Sequence, residues 1–267
     1  MTDKYLDYFV HGWSLYMRFN RAANAEAREE YKNAIAENPA FCRGYADLAY
    51  SILHAWIFNW DKTVTLQAAK DVLAKAPVSC KDDYYFRWVS GALSLYSRDF
   101  ADADTLYKQS WNMAQQDAIP SDLDALTVDR AEMMLLTGNA KQAIADITAV
   151  LNKPKVHEKW FYWVLSWAYY ADGQWQNAID AVRSNIKSPR NAIRLTVAAS
   201  LAALGKDAEA AAEAKCFVDD EAKQAIAYAS LNEFLDLEDR VPFSNPSQAA
   251  LWRQHLAKAF DTVLPKP

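Results

Sequence analysis

Apolar residues along the chain recur every three or four positions, in stretches that short polar segments separate. Tyr8, Gly12 and Leu15 lie on one face of the first such stretch, and Ala27 and Tyr31 lie on one face of the next. This spacing is typical of an amphipathic α-helix whose apolar side packs against a core. The pattern predicts a succession of helices joined by short turns.

Proline and glycine indicate that the pattern repeats. Five prolines, at intervals of 38, 43, 34 and 35 residues, follow helix-like stretches: Pro39, Pro77, Pro120, Pro154 and Pro189. Proline ends a helix more readily than it continues one, so each fits the end of a repeat. Three glycines, each five residues before an alanine, mark turns between paired helices: Gly138, Gly173 and Gly205. In the third repeat Arg98 stands at the position of this glycine.

These positions resemble the tetratricopeptide repeat, a unit of helix, turn and helix about 34 residues long. Gly12 and Gly91 match the small residues at which two helices cross closely. The resemblance implies an all-α fold, a right-handed α-solenoid of about six such repeats with a C-terminal capping helix. We expect the repeats over residues 1–220, and a linker with the capping helix over 221–267.

Residues near the ends of the chain narrow the resemblance to one group within this family. The pair Pro242-Phe243, the nearby Pro246 and a leucine-proline ending are similar to the tail of certain bacterial domains of this family. Those domains are found downstream of adenylate or guanylate cyclase or winged-helix regulator domains. Met1 favours a protein that stands alone, and a fragment of a larger regulator is the alternative.

Two segments depart from the repeat. An insertion over residues 54–62 carries Trp56, Phe58 and Trp60, which either pack down as a local lid or form a contact patch for a partner. Near the end, Ser247 is the predicted N-cap of an amphipathic helix that contains Leu251, Trp252, Leu256 and Phe260. The acidic runs at 82–83 and 219–221 are expected near helix starts, where the helix dipole favours negative charge.

Composition excludes several classes of protein. The chain has only 6 Gly in 267 residues, which argues against β-sandwiches, barrels and phosphate-binding loops. Its net charge of −5 argues against a nucleic-acid partner. No apolar run reaches the length of about 18 residues that spans a membrane. Cys42, Cys80 and Cys216 show no paired spacing, so we expect free thiols, a reducing compartment and a cytoplasmic protein.

No catalytic motif stands out, and the prediction is a non-enzymatic protein without a cofactor or a metal. Asp129 and Glu132, three residues apart on one helix face, could act as an acid pair with His11 as a further polar group. A solvated helix face is the alternative for the pair. An enzyme or a small-molecule-binding protein with a pocket inside the superhelix is the competing class of function.

The aromatic surplus, 10 Trp, 14 Tyr and 11 Phe, points to a binding surface. In the resembled family the first helix of each repeat lines a concave groove, and this implies partner contacts by eleven residues: Phe9, Trp13, Tyr16, Arg43, Tyr50, Tyr85, Trp88, Trp160, Trp163, Trp167 and Tyr170. Large rings suit an apolar or amphipathic peptide or protein, with Arg43 as an orienting charge. Filling of the groove by the chain's own C-terminal helix, an identical subunit and a small apolar ligand are the alternatives.

Overall fold

The structure, a computed structural model, describes residues 3–117, 120–189 and 192–266. Within these ranges the regular secondary structure is helical throughout, as predicted. The chain forms two compact units, residues 1–118 and 119–267. The division predicted at residue 220 separates the repeats from the capping helix, so it differs in kind from the boundary between the two compact units. It stays a prediction.

The first unit consists of three antiparallel helix pairs. Its helices are α1 Lys4–Tyr16, α2 Arg21–Glu37, α3 Cys42–Ile57, α4 Leu66–Ala74, α5 Tyr84–Tyr96 and α6 Phe100–Asp117, with a short 3₁₀ helix at Val78–Asp82. The first helix of a pair is called the A helix here, and the second the B helix. The A helices α1, α3 and α5 contact one another in order, and each also contacts its own B helix.

The second unit repeats this arrangement and adds two helices. It contains α7 Pro120–Leu136, α8 Ala140–Leu151, α9 Lys159–Ala171, α10 Trp175–Arg183, α11 Ala192–Ala203, α12 Asp207–Ala222, α13 Leu231–Glu238 and α14 Pro246–Phe260. The A helices α7, α9 and α11 again lie side by side, each paired with the helix that follows it. Helix α14 packs on α11 and α12. The predicted architecture of repeated helix pairs is confirmed in both units.

Glycine and small residues occupy the positions that the pattern assigned to them. A Cβ atom on Gly12 would lie 2.9 Å from a ring carbon of Tyr31, so only glycine lets α1 approach α2 this closely. Gly138, Gly173 and Gly205 have φ of 92°, 77° and 72°, the left-handed conformation that ends a helix tightly. Arg98 adopts a φ of 63° at the equivalent turn, although its Cβ atom makes this left-handed conformation less favourable than it is for glycine.

Capping at three helix ends tests the local expectations. Asp83 caps α5, where its carboxylate accepts a hydrogen bond of 2.8 Å from the Phe86 N–H, as expected for the run at 82–83. The run at 219–221 instead lies in the last turn of α12, so that expectation was wrong. The N-cap of α14 is Asn245 rather than Ser247, because the Asn245 side chain accepts from the Ser247 N–H and Pro246 opens the helix.

The cysteines contradict the prediction of free thiols. Cys42 and Cys80 form a disulfide, and Cys216 is free and exposed. The bond joins the start of α3 to the 3₁₀ helix that precedes α5. Disulfides persist in oxidising compartments, so the argument for a reducing compartment from unpaired cysteines fails. The cytoplasmic location is left as a prediction without that support.

No helix among the described residues combines the length and the apolar character needed to cross a membrane.

Candidate functional site

The predicted contact residues of the first unit differ widely in exposure. Only Trp13 is exposed, whereas Tyr85 and Trp88 are buried. The other four are half-buried: Phe9, Tyr16, Arg43 and Tyr50. The A-helix face of this unit is therefore mostly packed, with partial access to some of its rings.

Arg43 is held by an internal network. Its Nε lies 3.3 Å from Oδ2 of Asp47, and its guanidinium lies 3.3 Å from the centre of the Tyr85 ring. The Tyr85 hydroxyl donates a hydrogen bond of 2.5 Å to the other oxygen of Asp47. Burial raises the pKa of Asp47, against the opposing attraction of Arg43. Arg43 is therefore paired with Asp47 inside the protein, and its charge is not directed at a partner, contrary to the expectation from the sequence.

His54 organises a half-buried aromatic cluster near the C-terminal end of α3. Its Nδ1 shares a hydrogen bond of 2.7 Å with the Tyr16 hydroxyl, and the two rings stack at 5.6 Å. The ring of Tyr50 lies 4.5 Å from the imidazole. Burial lowers the pKa of His54 to about 3, so the ring is neutral at physiological pH. The cluster is half-buried, and its histidine carries no charge for a ligand.

The aromatic insertion packs against this cluster. Trp60 is 2% exposed, and its ring lies 5.2 Å from Phe19 and 5.1 Å from Phe58. Trp56 and Phe58 are half-buried. Between the two alternatives for the insertion, these contacts favour the local lid over the partner patch.

Three linkages in the first unit share one sequence separation. Cys42–Cys80, Tyr16–His54 and Asp47–Tyr85 each join residues 38 positions apart. That separation equals the first proline interval, and each linkage joins residues of two neighbouring repeats. Sequence reasoning missed all three. The repeat period is the signal that could have indicated them, since stacked repeats bring residues about one period apart close together.

In the second unit α14 covers half of the predicted contact residues. Trp167 and Tyr170 are 5% and 6% exposed, and the Trp252 ring lies 6.1 Å and 5.2 Å from them. His255 Nδ1 and the Tyr170 hydroxyl are 2.8 Å apart. The chain's own C-terminal helix thus occupies this part of the face, which was one of the alternatives considered.

The other half of the α9 face stays accessible. Trp160 and Trp163 are half-buried. The Trp163 ring stacks on Trp167 at 5.9 Å with an angle of 12° between the planes, so the row of rings continues from the covered part to the accessible part. Trp160 and Trp163, together called the α9 platform here, are the best candidate contact surface of the second unit.

The candidate acid groups are distributed over the two units. His11, in the first unit, is exposed, and its Nδ1 lies 3.3 Å from Glu30. Asp129 and Glu132 lie on α7 of the second unit, where Asp129 is buried and Glu132 half-buried. Within the described ranges, no three His, Cys, Asp or Glu residues come together as metal ligands would.

A buried carboxyl group that the sequence did not indicate lies at the end of α12. Glu221 is 3% exposed, and the Tyr228 hydroxyl donates a hydrogen bond of 3.4 Å to its Oε2. Burial raises the pKa of Glu221 to about 7. Burial likewise raises the pKa of Glu238, on α13, to about 7. Both groups belong to the packing of α12, α13 and α14, so they make stability depend on pH.

The stacked helix pairs define the class of this chain: an all-α helical-repeat protein. Solved structures with a similar fold include a tetratricopeptide repeat protein from Parabacteroides merdae ATCC 43184, at 14% identity over 96% of this chain and 91% of that chain with a TM-score of 0.46. The structure of Pseudomonas aeruginosa pilF is similar at 15% identity over 88% of this chain and 96% of that chain, with a TM-score of 0.48. No protein-family model and no curated protein matches the chain. These likenesses carry no information on a partner or an activity.

Proposed function

We propose that this chain is a non-enzymatic scaffold of the tetratricopeptide type, which binds an apolar or amphipathic segment of another protein on its A-helix face. In the second unit the contact surface is the α9 platform, Trp160 and Trp163. In the first unit the half-buried rings of Tyr16 and Tyr50 form the proposed contact surface. The net charge of −5 disfavours binding to nucleic acid, so the proposal includes no nucleic-acid partner. The link to cyclase or winged-helix regulators stays a prediction.

The seating of α14 is the observation that carries this proposal. An amphipathic helix of the chain already lies against the A-helix side of the second unit, where Trp252, Leu256 and Phe260 are buried. The ring of Trp252 contacts Trp167, and Trp167 stacks on Trp163. A surface that accepts one amphipathic helix through tryptophan rings has the chemistry to accept a second apolar segment beside it.

Polar contacts of α14 indicate which side chains could orient a bound segment on this surface. Lys258 Nζ donates a hydrogen bond of 3.3 Å to the Ala202 carbonyl, and Gln248 Nε2 donates one of 3.3 Å to the Ala171 carbonyl. Both acceptors lie at the C-terminal ends of A helices, where carbonyl groups lack intrahelical partners. A partner segment with lysine or glutamine beside its apolar side would bind by the same chemistry.

The test is affinity capture with the tagged chain and with two tryptophan variants. Trp163→Ala removes half of the α9 platform, and we expect it to weaken binding of the captured partner by at least about tenfold, the cost of losing a tryptophan anchor. Trp111→Ala is the matched control, because Trp111 is also half-buried but lies on the B helix α6. Far-UV circular dichroism should show equal helicity for all three proteins.

Two outcomes would contradict the proposal. If Trp163→Ala retains a stoichiometric partner as well as the control does, the α9 platform does not bind it. If no protein is recovered and native mass spectrometry finds a co-purified small molecule, the competing ligand-binding function is supported instead.

A further inference from the structure

The exposed apolar side chains of α1 and of Met17, its C-cap residue, form a row of a kind that the rest of the described chain lacks. Leu6, Val10, Trp13 and Met17 are 40%, 59%, 48% and 48% exposed. Elsewhere in the described ranges the exposed large apolar residues stand singly: Val78, Val156, Leu204 and Leu251. The four residues of the row are called the α1 seam here. Their spacing of four, three and four residues is that of a two-stranded coiled-coil seam.

The α1 seam is additional to the side of α1 that packs in the core. Gly12 and Leu15 are buried on that other side. The ring of Phe9, between the two sides, lies 5.1 Å from Phe41 at the start of α3. Helix α1 therefore carries two apolar sides, and the helices of its own unit cover only one of them.

We propose that α1 pairs antiparallel with α1 of a second copy of this chain through the α1 seam. The seam is complementary to itself about a two-fold axis midway between residues 10 and 13. With that axis, Val10 lies opposite Trp13 of the second copy, and Leu6 lies opposite Met17 of the second copy. The Val10 layers then pair a small side chain with a large one, and the Leu6 layers pair two side chains of similar size, which suits interdigitated packing.

The charges beside the seam favour the same orientation. Asp3 and Asp7 stand beside the start of the seam, where they line a shallow depression together with Leu6 and Val10. Arg18 lies in the turn that follows α1, at the other end of the seam. Antiparallel pairing brings Arg18 of each copy to the end of the other copy that carries the two aspartates, whereas parallel pairing would leave Arg18 and the aspartates at opposite ends of the pair. The same acidic flank disfavours an anionic membrane surface as the occupant.

The size of the seam sets the strength of the association. A stable interface buries about 800 Å² on each partner, and four partly exposed side chains on one helix supply less than that. We therefore expect a reversible dimer with a dissociation constant in the micromolar range. This inference is independent of the proposed function, since Trp163 takes no part in it.

The test is sedimentation velocity of the full chain over a hundredfold range of concentration. We expect the wild type to shift from monomer to dimer, and Trp13→Glu to raise the dissociation constant by at least tenfold. Leu251→Glu is the matched control, because Leu251 is 46% exposed on α14 and its replacement should leave the dimer unchanged. Trp13 is exposed, so its variant should fold with unchanged helicity.

A charge exchange tests the orientation. Asp7→Arg and Arg18→Asp should each weaken the dimer several-fold, and the double variant should recover most of the loss. A chain that stays monomeric at the highest concentration, a dimer that survives Trp13→Glu, or equal effects of Trp13→Glu and Leu251→Glu would overturn the proposal. Failure of the double variant to recover would overturn the antiparallel arrangement.

Discussion

Removal of the Cys42–Cys80 disulfide should destabilise the first unit strongly. The bond joins residues 38 positions apart, and restricting an unfolded loop of that length is worth about 4 kcal/mol in the chain-entropy model. Cys80 is fully buried, so alanine is the least disruptive replacement at both positions. The loss should fall on the first unit, because both cysteines and the helices that they join lie there.

The assay is urea unfolding of the wild type, the variant Cys42→Ala/Cys80→Ala and the control Cys216→Ala. The double variant should unfold at a lower urea concentration, by an amount equal to about 4 kcal/mol divided by the transition's m-value. Reductant should move the wild type toward the double variant. Reductant should leave the double variant unchanged, and it should move the control as it moves the wild type, because Cys216→Ala retains the disulfide.

Two results would refute this reasoning. Intact-mass labelling of the oxidised wild type under denaturing conditions should find one reactive thiol, and three reactive thiols would show that the bond does not form. If the bond forms but the double variant unfolds at the wild-type urea concentration, the unfolded chain gains no freedom when the bond is removed.

Two further predictions concern the second unit. Because the pKa of Glu221 is raised from 4.5 to about 7, the folded state binds its proton more tightly, and stability should fall as pH rises from about 4.5 through 7. Glu221→Gln should remove the part of that dependence due to Glu221, leaving the part due to Glu238, and should stabilise the protein by up to about 3 kcal/mol at pH 8. Urea unfolding at pH 5 and pH 8 would measure the change, and an unaltered pH dependence would contradict it. Gly173→Ala should cost about 1 kcal/mol in thermal unfolding, purely from its φ of 77°, since no atom lies within 4 Å of the added methyl group; an unchanged melting temperature would contradict the left-handed turn.

Local chemistry explains which parts of the fold the sequence could predict. The turn glycines and the crossing glycine Gly12 were assigned correctly because each position has a conformational or steric requirement that few residues meet. The N-cap of α14 was misplaced by two residues, since Asn245 and Ser247 are both good caps and only the position of Pro246 decides between them.

Long-range pairing explains most of what the sequence could not predict. In the sequence, Asp47 and Arg43 have the spacing of an ordinary ion pair on a helix surface. Only the structure shows that Tyr85, from the next repeat, packs against both of them. The buried state of Glu221 depends in the same way on Tyr228 and on the packing of α13 and α14. For the predicted contact residues, sequence indicated the A-helix face and filling of the groove by the C-terminal helix as an alternative, but could not indicate that the covered rings would be Trp167 and Tyr170.

The contrast between α1 and α14 bears on how far this chain can polymerise. Repeat arrays with adhesive surfaces at both ends can add copies head to tail and grow into filaments. Here α14 lies over α11 and α12, while α1 keeps its seam exposed. A seam that pairs with itself about a two-fold axis is used up when two chains meet. Assembly of the proposed kind therefore terminates at two chains, and raising the concentration further should yield more dimer rather than longer fibres.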